Sequence, residues 1–116
     1  AAPPSYLERV PVRQRDEIML VPVAQIASIV ADGELLCVTT RKGERHTITH
    51  RLKDLETRLQ PGRFLRLGRG AIAAVDAIVK VTVMPGGTHV AVLANGQKLQ
   101  VSRLQSRILR DRLLKL

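Results

Sequence analysis

Aromatic side chains are almost missing: Tyr6 and Phe64 are the only two in 116 residues. Single-stranded nucleic acids are usually gripped by stacking bases on aromatic faces, and two rings cannot build such a platform. The core must instead come from Val, Ile, Leu and Ala, within an apolar content of 45%. Cysteine is nearly absent too. Cys37 stands alone, which excludes an internal disulfide framework and a cysteine-based zinc cage, and points to a reducing, cytosolic setting. No apolar stretch follows Ala1–Pro4, so no secretory signal is legible. The longest uncharged run, Ile18–Ala31, is short for a membrane span and contains Pro22, Gln25 and Ser28.

Acidic residues are scarce in one half only. Residues 1–62 hold 9 Lys/Arg and 8 Asp/Glu, whereas residues 63–116 hold 10 Lys/Arg against Asp76 and Asp111 alone, so the formal +9 sits almost entirely in the second half. A near-neutral half joined to a strongly basic one predicts a surface for a polyanion, with nucleic acid ahead of an anionic membrane. Duplex DNA needs cations and edge-reading side chains rather than aromatics, so it is the favoured partner.

The chain reads as one domain, residues 9–116, behind a linker-like tail, residues 1–8, that opens AAPPS. Arg9–Arg15 alternates with Val10 and Val12 on one face, and Pro11 marks it as an edge strand. After a turn at Asp16-Glu17, Ile18–Val23 and Ala27–Val30 read as strands joined by Ala24–Ile26. Asp32-Gly33 predicts a hairpin into Leu35–Thr40, and Arg41–Gly43 a turn into Glu44–Thr49. Leu52, Leu55 and Leu59 fall on one helical face that ends at Pro61-Gly62. Arg63–Ile78 predicts two aliphatic strands parted by Gly68-Arg69-Gly70, whose glycines relieve backbone sterics and hold Arg69 outward on a rigid mount. Ile78–Met84 and Thr88–Leu93 form a hairpin, Asn95-Gly96 turns into Lys98–Val101, and Ser102 caps a helix from Arg103. No repeat is visible. The fold class is mainly β.

Enzymatic chemistry finds little support. His46 and His50 could share one strand face, but no Asp, Glu or Cys completes a metal set. Ser102 and Cys37 lack a base partner, and no glycine-rich loop fits a nucleotide phosphate. A non-enzymatic binding module without cofactor or small-molecule substrate is the expectation.

Four segments resemble the LytTR-type DNA-binding domain of bacterial response regulators: VPVAQIASIVADGELLCVTT, THRLKDLETRL, RFLRLGRGAIAAVDAIVKV and LANGQKLQVSR. The resemblance covers about residues 9 to 115 and implies an elongated stack of small antiparallel sheets, with a short connecting helix and a C-terminal helix. It also implies that loops, not a recognition helix, enter successive major grooves. By position, Arg69 matches the arginine of the family's H-R-S core and Arg103 that of its terminal S-R. The turn at Gly33, Glu34 and Leu35 matches a third contacting loop, and Arg66, Gly68, Gly70 and Ser102 complete the candidate interface. Gly68 and Gly70 replace the histidine and serine of H-R-S, and Ala74 replaces a family asparagine, which removes polar groups from the loop.

The terminal helix is expected to pack through Leu104, Ile108, Leu109 and Leu113, leaving Arg107 and Arg110 solvated, rather than to lie in a groove, with Arg103 the exception because it sits at the helix start. The resulting expectation is a cytoplasmic, sequence-specific duplex-DNA binder: the output domain of a bacterial transcription regulator. A second copy on a paired half-site and an upstream signalling or membrane domain would be its partners. The alternative is a LytTR-like module that keeps the fold but meets proteins or anionic surfaces instead.

Overall fold

The computed structural model describes residues 6–115. Val10 and Val12 of β1 (Arg9–Gln14) point inward, while β2 (Glu17–Pro22) pairs with it across an Arg15-Asp16 turn. That turn falls one residue earlier than the sequence suggested, because Arg15 takes the left-handed conformation, φ 51°. Leu7 N–H already bonds Arg58 O at 2.8 Å and Glu8 O accepts from Val23 N–H at 2.8 Å, so these two tail residues are tied to the domain. Tyr6 is exposed, and residues 1–5 lie outside the described residues.

A one-turn 3₁₀ helix, Val23–Gln25, leads into the meander β3 (Ile26–Asp32), β4 (Leu35–Thr40) and β5 (Arg45–Ile48), followed by α1 (Leu52–Arg58). The predicted central hairpin is β6 (Phe64–Gly68) and β7 (Ala71–Ala74). A second 3₁₀ turn, Val75–Ala77, then opens β8 (Ile78–Val83), β9 (His89–Leu93) and β10 (Lys98–Val101), with α2 (Arg103–Leu113) last. The sheets are β1-β2, β5-β4-β3-β7-β6 and β10-β9-β8, all antiparallel. Extents of 46 × 37 × 24 Å give the stack its elongation. Aliphatic side chains fill it as composition required, with Ile26, Ile29, Leu67, Leu93 and Leu109 almost fully buried.

The expectation of no repeat is corrected by the backbone: both halves trace the same path of hairpin, 3₁₀ turn, three-stranded meander and helix. Val23 N–H bonds Glu8 O at 2.8 Å, and Val75 N–H bonds Arg63 O at 2.9 Å. Arg41 N–H bonds Gln25 O at 2.8 Å, and Ala94 N–H bonds Ala77 O at 2.9 Å. Gly43 closes on Thr40 O at 3.0 Å as Gly96 closes on Leu93 O at 2.9 Å. The first strand of each meander has a register shift at the same place, between Ile26 and Ser28 and between Ile78 and Lys80. Turn geometry and alternation suffice to specify this path, so the two halves share it with few identical residues.

Polar contacts join the halves. Ser28 Oγ, fully buried, donates to Gln97 Oε1 at 2.7 Å, and Asn95 Nδ2 donates to Thr40 O at 3.1 Å. Arg41 bridges the two 3₁₀ turns: its Nε donates to Ala24 O at 2.9 Å and its Nη2 pairs with Asp76 Oδ1 at 2.6 Å. That guanidinium holds the Asp76 carboxyl below its ordinary pKa.

Helix α2 corrects the expected packing face. Leu104 is 70% exposed and Ile108 40% exposed, whereas Ser106 and Leu109 are fully buried and Leu113 half-buried. Apolar residues occur on more than one side of this helix, so spacing alone could not choose between stripes. Small Ser106 lets the helix approach closely, and its Oγ reaches Val101 O at 3.5 Å. Arg107 and Arg110 are exposed, as expected, and so is Arg103 at the helix start.

Candidate nucleic-acid interface

The turn between β6 and β7 is Arg69-Gly70, since Gly68 pairs with Ala71. Its support is Arg66, whose side chain is 19% exposed. Arg66 Nη2 donates to Arg69 O at 2.9 Å, its Nε donates to Gly68 O, and its Nη1 pairs with Glu56 Oε1 of α1 at 2.8 Å. A planar fork satisfied on three sides holds the two carbonyls rigidly. Arg66 is therefore committed inside the protein as a brace, while the Arg69 residue it supports is exposed.

Neither Gly68 nor Gly70 adopts a positive φ, so the predicted reason for these glycines does not hold. A Cβ at Gly68 would sit 3.8 Å from Ser102 Cβ, and one at Gly70 would sit 3.9 Å from Ala31 Cβ, both ordinary contacts. Gly70→Ser should thus leave stability within about 0.5 kcal/mol of the parent or raise it slightly. Thermal unfolding checks this, and a loss above about 2 kcal/mol would show a strain that the backbone does not display.

The start of α2 adjoins this turn. Ser102 N–H bonds Leu67 O at 2.8 Å, and Ser102 Oγ caps the helix by accepting from Gln105 N–H at 3.2 Å. Arg103 follows as the first residue of α2 and is exposed, with Nη2 3.9 Å from where a Gly86 Cβ would be, on the β8–β9 turn. On the other side, Ala31 N–H bonds Gly70 O at 2.7 Å, which ties in the β3–β4 turn, where Gly33 has φ 62° and Glu34 and Leu35 are exposed. Gly33–Leu35, Gly68–Gly70, Ser102–Arg103 and the Gly86 turn therefore form one continuous row.

A cleft of about 710 Å³ lies between the β3–β4 turn, Arg69 and the residues that open α1. His50, Arg51 and Lys53 line it, opposed by Glu34 and Asp54. Sequence reasoning missed these three because only the fold brings them toward Arg69; their alternation with the leucines of α1 was the available signal. His50 lies beyond the end of β5 and is exposed, while His46 is buried with Nδ1 3.3 Å from Gln14 Nε2, so the two do not share a strand face. Among the described residues, no cluster of His, Cys, Asp or Glu could hold a metal ion.

The LytTr DNA-binding domain model matches residues 16–114. The chain belongs to the LytTR family. A solved LytTR structure, the DNA-binding domain of a putative methyl-accepting/DNA response regulator from Bacillus cereus, shares the fold at TM-score 0.83 and 21% identity, covering 92% of this chain and 97% of that one. A curated relative, the heme-containing CO-sensing transcriptional regulator RcoM 2 of Paraburkholderia xenovorans (strain LB400), is 27% identical over 104 residues. That match covers 90% of this LytTR chain but 38% of the relative. DNA binding in transcription regulation is the function that LytTR membership supports. No helix among the described residues is long and apolar enough to cross a membrane.

Proposed function

We propose that this LytTR domain binds duplex DNA sequence-specifically as the output domain of a bacterial transcription regulator, with its row of turns facing the grooves. The observation that supports the reading is the backbone mounting of Arg69 and Arg103: one stands on a turn braced by Arg66, the other on a capped helix start, and the Ser102–Leu67 hydrogen bond joins the two supports. A fixed guanidinium can donate two parallel hydrogen bonds to guanine O6 and N7. Arg51 and Lys53 across the cleft, and Arg107 and Arg110 along α2, supply phosphate contacts. The 46 Å long axis is sufficient to span a helical turn of about 34–36 Å.

The relative's name and the 38% of its length matched here motivate the proposal that control comes from a domain outside residues 1–116. One such domain covers little DNA, so two copies are expected on paired half-sites. Competition among a two-site duplex, single-stranded RNA and acidic vesicles tests the reading, with the duplex repeated at a spacing shifted by about half a helical turn. The two-site duplex should win, and the shifted spacing should lose joint occupancy. Preference for RNA or vesicles would replace the proposal with the corresponding surface-binding function.

A further inference from the structure

The internal repeat leaves two strand edges unmatched. Inside the chain, the second hairpin docks on the first meander: β7 pairs antiparallel with β3 through Ser28–Ala73, Ile29–Ile72 and Val30–Ala71. This contact buries Ile29 and Ile72 to 0% and 1% exposure. The repeat makes β8 the equivalent of β3, and β2 the equivalent of β7. Among the described residues, β8 pairs with β9 alone and β2 with β1 alone. Each unmatched edge exposes large apolar side chains. Ile18 is 60% and Leu20 51% exposed on β2, and Val79 is 64% and Val83 72% exposed on β8. Leu20 occupies the position of Ile72, so the same place in the repeat is buried where a neighbour is present and open where none is.

We propose that a second copy of this chain fills the gap, its β2 pairing antiparallel with β8 in the register that β7 uses on β3. Lys80, Val81 and Thr82 then face Val21, Leu20 and Met19 of the second copy. Pro22, which has no N–H to donate, falls beyond these pairs, just as its equivalent Ala74 lies outside the β3–β7 register. The contact is heterologous: different surfaces meet, and the step leaves one β2 and one β8 free at the ends. Lys80, the bulge at Val79 and the formal +9 of each copy oppose runaway growth. Pairing is therefore strongest where salt or a polyanion screens the charge. This supplies a contact for the paired occupancy above, but it stands on the repeat and does not require DNA.

Sedimentation equilibrium without DNA, at about 1 M salt where the screening length is about 3 Å, separates the outcomes. One variant, Ile18→Lys with Leu20→Lys, blocks β2; another, Val79→Lys with Val83→Lys, blocks β8. All four positions are exposed, so circular dichroism should show both variants folded. The parent should associate with concentration, and each variant alone should associate about tenfold or more weakly, because two lysines at or beside the paired segment bring charge against the neighbouring edge. An equimolar mixture should form a 1:1 dimer and nothing larger, because one variant keeps a working β8 and the other a working β2. A parent that stays monomeric, a variant that associates alone like the parent, or a mixture that stays monomeric would overturn the proposal. Loss of DNA binding with this self-association intact would instead count against the proposed function alone.

Discussion

Raising salt from about 50 to about 200 mM should weaken binding to duplex DNA roughly 250- to 1,000-fold. The basis is counterion release, which gives a log–log slope of about −0.9 per neutralised phosphate. Arg51, Lys53, Arg107 and Arg110 stand exposed around Arg69 and Arg103, enough for roughly four to six phosphate contacts and a slope of about −4 to −5. Glu34 and Asp54 share the cleft with Arg51 and Lys53, so the slope should steepen when Glu34→Gln removes one opposing charge. Fluorescence anisotropy at several salt concentrations measures it. An affinity that hardly changes with salt would mean that the basic half does not meet the phosphates.

Leu67→Ala should be the most damaging substitution near the interface, at about 2–5 kcal/mol of folding stability. Leu67 is fully buried in β6, next to Gly68 at the edge of the Arg69-Gly70 turn, and its carbonyl receives the Ser102 N–H at 2.8 Å. Removing its side chain opens a cavity beneath the junction of β6 and α2. Against a typical domain stability of about 5–15 kcal/mol, that is a large fraction. Urea unfolding should show a lower midpoint with an unchanged slope. A loss below about 1 kcal/mol would show that the junction is loosely packed and that the mounts of Arg69 and Arg103 are not rigid.

Much of this architecture was legible because turn chemistry is local. Asp32-Gly33, Asn95-Gly96 and Ser102 each marked a boundary that the backbone keeps, and the leucine spacing of α1 gave its buried face. The candidate turns were legible through the family resemblance, but their support was not. Glu56 and Arg66 meet because α1 lies against the central hairpin, and no local pattern encodes that. Arg66 therefore looked like another cation for DNA when its donors are committed internally. The face of α2 was misread for a related reason: Leu104 and Ile108 lie a turn apart like a packing stripe, but Ser106 and Leu109 are the residues that the fold buries. The repeat was hidden because strands tolerate wide substitution when alternation and turns are kept.

The most direct test of the account is whether Arg69 reads a base or only holds a phosphate. Parent, Arg69→Ala and Arg69→Lys should be titrated against the preferred duplex and against single-base changes across it, at one fixed salt concentration. The account predicts that Arg69→Ala flattens discrimination at one base position by about 1–3 kcal/mol and leaves the other positions ranked as before. Lysine should restore only part of that preference, since it keeps the charge without the fork. If Arg69→Ala instead weakens every sequence equally, Arg69 is a phosphate anchor and the reading turn is not where the sequence is read.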